Sequence, residues 1–119
     1  MGEVNNPLSK KSYDFALVII KLYKDLTLEK KEYILSKQLL RCGTSIGANI
    51  AEANGAISTA DFSAKISIAY KESLETKYWL SLLKDSNYID EKRFEELYSK
   101  GDELSKILFT ILKTTRIKN

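Results

Sequence analysis

The chain of 119 residues carries a single proline, Pro7. Proline is the residue that stops a helix outright, because it has no N–H and its ring clashes with the preceding turn. Only five glycines join it. Strand-rich folds need many turns, and turns consume both residues. The scarcity selects long helices joined by a few short connections. The length suits one domain, which buries roughly two-thirds of its unfolded surface. With 44% hydrophobic and 29% charged residues the composition is that of a globular chain.

Apolar spacing divides the chain into four helices, expected over about 9–26, 31–54, 59–85 and 91–115. In the first, Phe15, Val18, Ile19, Leu22 and Leu26 form a stripe at helical period. The block FALVII, Phe15 to Ile20, is apolar almost all round. One stripe is enough for a monomeric bundle, so a second face of this helix is expected against another subunit. In the second helix Ile34, Leu35, Leu39, Ile46 and Ile50 are expected inward, and Gly55 is expected to end the helix in a left-handed conformation. Ser58 and Asp61 open the third in the manner of a capping box. Phe62, Ile66, Ala69, Tyr70, Ser73, Lys77 and Leu80 share or flank its inner face. Asn87 ends it, and Asp90 caps the fourth, which carries Phe94, Leu97, Leu104, Ile107, Leu108, Ile111 and Leu112. Four helices of similar length predict an all-α, antiparallel up-down-up-down four-helix bundle spanning residues 1–119 and assembling as a homo-oligomer.

Several chemistries lack their residues. Histidine is absent, which removes the commonest general base, metal ligand and pH switch. The lone Cys42 forms neither an internal disulfide nor a thiolate zinc site; it reads as a small buried residue that fits a reducing, cytoplasmic setting. GTSIG lacks the lysine of a phosphate loop, and no strand precedes it. MGEVNNPLSKK has no apolar run after its charges, so no signal peptide is expected, and the longest apolar run is far too short to span a membrane. Glu72-Ser73-Leu74-Glu75 is an ExxE of the kind that helical nucleotide pyrophosphatases pair with a second carboxylate motif to hold magnesium. No second pair follows, so a metal-dependent NTP hydrolase is the least favoured reading. No catalytic residue, metal or cofactor is expected.

The stretch Leu39 to Gly55, LLRCGTSIGANIAEANG, carries two rows when wound as a helix. Gly43, Gly47 and Ala51 recur every fourth residue and form a ridge that lets another helix approach closely. Gln38, Arg41, Ser45, Asn49 and Glu52 form a polar ladder. This ladder has two readings: a solvated face, or a hydrogen-bonded network at a helix–helix or subunit contact.

Net charge is only +3, but it is unevenly placed. From Lys106 onward there are four basic residues and no acidic ones. Basic residues complement a helix C-terminus; they also suit nucleic acid. Candidate contacts are Lys10, Lys11, Lys113, Arg116 and Lys118.

At Gln38-Leu39-Leu40-Arg41 followed by Ser45-Ile46-Gly47-Ala48-Asn49-Ile50-Ala51-Glu52, the chain resembles the bacterial four-helix-bundle proteins named for open reading frames in intervening sequences of 23S ribosomal RNA genes. Asp61-Phe62, Ile68-Ala69, Glu75-Thr76, Tyr78-Trp79-Leu80 and Asn87-Tyr88-Ile89 extend the resemblance over nearly the whole chain. Ala53 stands where the family usually has glycine, and the arginine common shortly afterwards is missing from GAISTAD. The resemblance implies a four-helix bundle and a homo-oligomer, since relatives form pentameric rings. The accessory proteins of diversity-generating retroelements are similar basic pentamers that bind a reverse transcriptase and nucleic acid. Five copies at +3 each would carry about +15, enough for salt-dependent phosphate binding. The expected function is therefore non-enzymatic binding of RNA or of an RNA-handling protein. The alternative is a pure protein-interaction module that docks through helix 1 and the Trp79 region.

Overall fold

The computed structural model describes the backbone of residues 6–118 and the side chains of residues 6–115. All regular structure in this span is helical: α1 Pro7–Leu28, α2 Leu35–Asn54, α3 Thr59–Asp85 and α4 Glu91–Lys118. Helix α1 starts two residues earlier than the spacing predicts. Asn6 Oδ1 accepts the N–H of Ser9 at 2.7 Å, and Pro7 takes the first position, where its missing N–H leaves nothing unsatisfied.

Helix α2 starts four residues later than expected. Lys31 adopts a left-handed φ of 56°, which a helix cannot contain. Glu32 then reaches forward over the helix start. Its carboxylate accepts the N–H groups of Ile34 at 3.1 Å, Leu35 at 3.0 Å and Ser36 at 2.7 Å. The Ser36 hydroxyl returns a bond to the Glu32 carbonyl at 2.7 Å. One carboxylate thus satisfies three donors that a helix N-terminus leaves orphaned. Ile34, expected inward, lies on this cap and is 75% exposed.

The far end of α2 also differs from expectation. Gly55 has φ −101°, not a left-handed value. Its N–H bonds to the Glu52 carbonyl and that of Ala56 to the Ala53 carbonyl, both at 3.1 Å. The carbonyls are satisfied in a tight right-handed turn, so no left-handed residue is needed. The remaining caps follow the sequence. Ser58 Oγ accepts from Asp61 N–H at 3.0 Å, although Asp61 reaches back to Ile57 rather than to Ser58. Asn87 takes φ 68°, and Asp90 Oδ1 accepts from Arg93 N–H at 2.8 Å.

The helices pack in chain order, each on the next, and α1 also touches α4 along a narrower contact. The bundle measures 46 × 22 × 21 Å. Its core includes Ile19 and Leu22 from α1, Leu39 and Ile46 from α2, Ile66 and Leu80 from α3, and Leu104 and Leu108 from α4, all essentially without exposure. Burying each such side chain contributes about 1.5–3 kcal/mol. Val18 and Ile111 pack on the margin.

The small-residue ridge faces α1 of the same chain. A Cβ at Gly43 would lie 2.9 Å from Ile19 Cγ2 and 3.0 Å from Cγ1. A Cβ at Gly47 would lie 3.4 Å from both the carbonyl oxygen and the hydroxyl of Ser12. Ala51, expected as the third step, is exposed and lies outside the contact. In α4, a Cβ at Gly101 would lie 3.5 Å from the Phe15 ring Cζ, an ordinary contact distance.

Gly43→Ala should therefore lower stability by about 1–2 kcal/mol in denaturant unfolding, because overpacking outweighs the gain in helix propensity. Ile19→Val keeps both offending carbons and should leave that loss in place. Ile19→Ala removes them, and the double-mutant cycle should show the loss abolished. Gly47→Ala should stay within about 0.5 kcal/mol of the parent.

Glu32→Ala should cost about 1–2 kcal/mol through loss of the cap. Burial opposes the charge on this carboxyl, but the hydrogen bonds from Ser36, Leu35 and Ile34 prevail and hold its pKa below the ordinary 4.5. A depressed folded pKa stabilises above the unfolded value and ceases to do so as pH falls through the folded one. The difference in unfolding free energy between the parent and Glu32→Ala should be full at pH 7 and shrink below pH 4.5.

Candidate nucleic-acid interface

The polar ladder of α2 runs along its seam with α3. Arg41 reaches across to Glu72 at 3.4 Å and to Glu75. Ser45 donates to the Arg41 carbonyl at 2.6 Å, and Asn49 to the Ser45 carbonyl at 2.8 Å. Glu52 pairs with Lys65 of α3 at 2.8 Å. Four of the five residues thus join a row tied to α3 at both ends, while Gln38 is exposed beyond it. The middle of the row bonds to its own backbone, and only the ends cross to the neighbouring helix.

This arrangement occupies the ExxE carboxylates. Arg41 holds both, and Glu75 also accepts from Trp79 Nε1 at 2.9 Å. Among the described residues, no group of three or more acidic or cysteine side chains is placed to hold a metal ion. Cys42 is buried beside this cluster. Burial pushes its thiol up to about 11, and a hydrogen bond with Thr76 opposes the shift only in part. Such a thiol is unreactive at neutral pH. Trp79 is half-buried against the edge of Tyr78, ring centroids 5.2 Å apart. Tyr78, not Trp79, therefore presents the exposed aromatic surface there.

The basic residues chosen from sequence separate into three kinds. Lys10 pairs with Asp14 at 2.9 Å and Lys11 with Glu103 at 2.7 Å, so both carry a local counter-charge. Lys113 is exposed, with no ion pair to a carboxylate among the described residues. The side chains of Arg116 and Lys118 lie outside the described residues.

Lys113 opens onto a groove between α3 and α4. Two adjoining hollows of about 410 and 330 Å³ share Tyr70, Leu74 and Phe109. Four lysines line them, Lys71, Lys77, Lys106 and Lys113, against the one carboxylate of Asp102. Asp102 is bonded by Lys106 and by Lys77, both at 3.0 Å, and these two bonds hold its carboxyl below the usual range. Below them the buried hydroxyls of Ser73 and Ser105 meet at 2.7 Å. The Phe109 ring, half exposed, lies 5.8 Å from Tyr70 at an angle of 42°. Sequence reading picked out only Lys113 of this set. The signal was present in α4, where Lys106, Phe109 and Lys113 fall three and four residues apart on one face.

On the outer side of α1, Tyr13, Leu17 and Leu28 are exposed, with exposed Lys21 and Lys24 between the last two; of FALVII only Leu17, 51% exposed, faces outward. No helix among the described residues is long and apolar enough to cross a membrane.

A family model described as 23S rRNA-intervening sequence protein matches residues 5–110. Four chains of solved structures match. One is a protein of unknown function from the S23 ribosomal protein family of Bacteroides thetaiotaomicron. It is 49% identical, the match covers 89% of this chain and 95% of that one, and the TM-score is 0.88. No curated protein matches.

Trp79 is the chain's one tryptophan, so its fluorescence reports on the Arg41 cluster directly. Glu75→Ala should shift that emission and lower stability by about 1 kcal/mol. Millimolar magnesium should leave the emission of the parent protein unchanged, because Arg41 already occupies the carboxylates. A saturable magnesium-dependent change would show the pair open to metal.

Proposed function

The chain belongs to the 23S rRNA-intervening sequence protein family, and from that premise we propose that it is a cytoplasmic, non-enzymatic, self-associating antiparallel bundle that binds RNA. The carrying observation is the placement of charge. Beyond Glu103 the sequence has Lys106, Lys113, Arg116 and Lys118 and no acidic side chain. Lys113 is exposed there with no ion pair to a carboxylate among the described residues, whereas Lys106, Lys10 and Lys11 are matched by carboxylates. Phosphate binding needs this kind of unneutralised positive surface, and the counterions it releases make it salt-dependent.

The antiparallel path is supported by the connections. Residues 29–34, 55–58 and 86–90 join the helices, and none is long enough to run back along a helix of about 30 Å. Self-association is supported by the exposed Tyr13, Leu17 and Leu28 on α1. A ring of five follows the pentameric relatives that the helix 2 motif resembles. The Arg41 bridge across Glu72 and Glu75 weighs against magnesium-dependent hydrolysis.

The same α1 residues favour a second reading, a protein-interaction module without affinity for nucleic acid. Two measurements separate them. Sedimentation should give a multiple of 13.6 kDa. RNA titrated at several salt concentrations should bind with log affinity falling linearly in log salt. Association without measurable RNA binding at low salt would leave the interaction module standing and remove the RNA reading.

A further inference from the structure

We propose that the α3–α4 groove is the RNA-binding surface and takes single-stranded RNA, with bases stacked on Phe109 and Tyr70 and phosphates held by Lys71 and Lys113. The proposal rests on the RNA-binding reading above and gives it a site and a substrate class.

Charge is the first argument. The groove sets four lysines against Asp102 alone. Lys77 and Lys106 are both bonded to that carboxylate at 3.0 Å, and the Lys77 ammonium lies 5.7 Å from the centre of the Tyr98 ring. Lys71 and Lys113 are exposed, line the same hollow from opposite helices, and have no ion pair to a carboxylate among the described residues.

The aromatic rings are the second argument. Phe109 stands between the two lysines of α4, half exposed, with Tyr70 beside it across the groove. Every base has a face that stacks on such a ring, whatever the sequence. Only unpaired bases are free to turn onto it, since a duplex keeps its bases stacked within the helix. A lysine-lined groove containing exposed aromatics therefore fits a single strand and not a duplex.

The test compares binding of a fluorescent single-stranded RNA oligonucleotide to the full-length parent and to three variants over a salt series. Lys71→Glu/Lys113→Glu should lower affinity at least tenfold at low salt and reduce the log–log salt slope by about 1.4. Phe109→Ala should lower affinity about tenfold and leave the slope unchanged. Lys37→Glu/Lys92→Glu makes the same change in net charge at exposed lysines outside the groove and should cost less than threefold. A duplex of the same sequence should bind the parent more weakly than the single strand. Melting and sedimentation of each variant should match the parent.

Equal losses from the two double variants would mean attraction to overall charge and would overturn the groove. Equal or tighter duplex binding would overturn stacking. Loss of assembly in the groove variants would make the groove a subunit contact and overturn the proposal. If the parent binds RNA and the groove variants bind equally well, only this assignment fails. If the parent binds no RNA at low salt, the broader reading fails with it.

Discussion

The close approach of α1 to α2 at Gly43 sets the rest of the bundle. Helix α1 rests mainly on α2 and meets α4 along a much narrower contact. Its position therefore depends on how deeply Ile19 can settle. Gly43 lets Ile19 sit where any side chain would collide with both its Cγ atoms. That depth carries Phe15, one turn earlier, onto Gly101 of α4. Each helical glycine costs about 0.5–1 kcal/mol relative to alanine. Burying Ile19 and Phe15 contributes about 1.5–3 kcal/mol apiece, so the exchange favours the packed state. Of the two glycines that border this face of α1, only Gly43 has no room for a Cβ.

With the helices so placed, their charges meet differently at different seams. Across α2–α3, Arg41 faces Glu72 and Glu75, and Glu52 faces Lys65. Across α1–α4, Arg93 faces Asp25 at 2.8 Å and Lys11 faces Glu103. Positive and negative groups answer one another in both places. At the α3–α4 groove Asp102 is shared by Lys77 and Lys106, while Lys71 and Lys113 line the adjoining hollow with no ion pair to a carboxylate among the described residues.

How much of this could be read beforehand follows from the range of each interaction. The four helices, the caps at Ser58 and Asp90 and the ends at Asn87 are local patterns, and the sequence displays them. The start of α2 is not legible because Lys31 turns left-handed and Glu32 caps from outside the helix by reaching forward to Ile34, Leu35 and Ser36, an arrangement that no spacing announces. Gly55 was given a left-handed role because glycine usually has one there, yet the preceding carbonyls found partners without it. The ridge of Gly43 and Gly47 was legible as a ridge. Its partner was not, since nothing in a helix's own sequence says which neighbour lies against it. Lys10 and Lys11 looked like free charges because their carboxylates lie on the next turn and on α4. Lys71 and Phe109 went unnoticed for the converse reason: they lie 38 residues apart and become one surface only when α3 meets α4.

The groove's modest charge makes self-association and RNA binding depend on one another in the proposed reading. A single groove offers about two phosphate contacts without a carboxylate partner among the described residues, Lys71 and Lys113. At about 0.7 of a counterion released for each contact with a single strand, that gives a shallow salt slope and weak affinity at physiological salt. Linked copies change the arithmetic, because once one groove holds the strand the next sees it at a high effective concentration. This works only if assembly leaves the grooves open. The α1 surface that offers self-association shares no residue with the groove, whose lining comes entirely from α3 and α4. In that reading, copies joined through α1 need not cover the groove, and several weak contacts on one strand add to a stronger hold than a single bundle has.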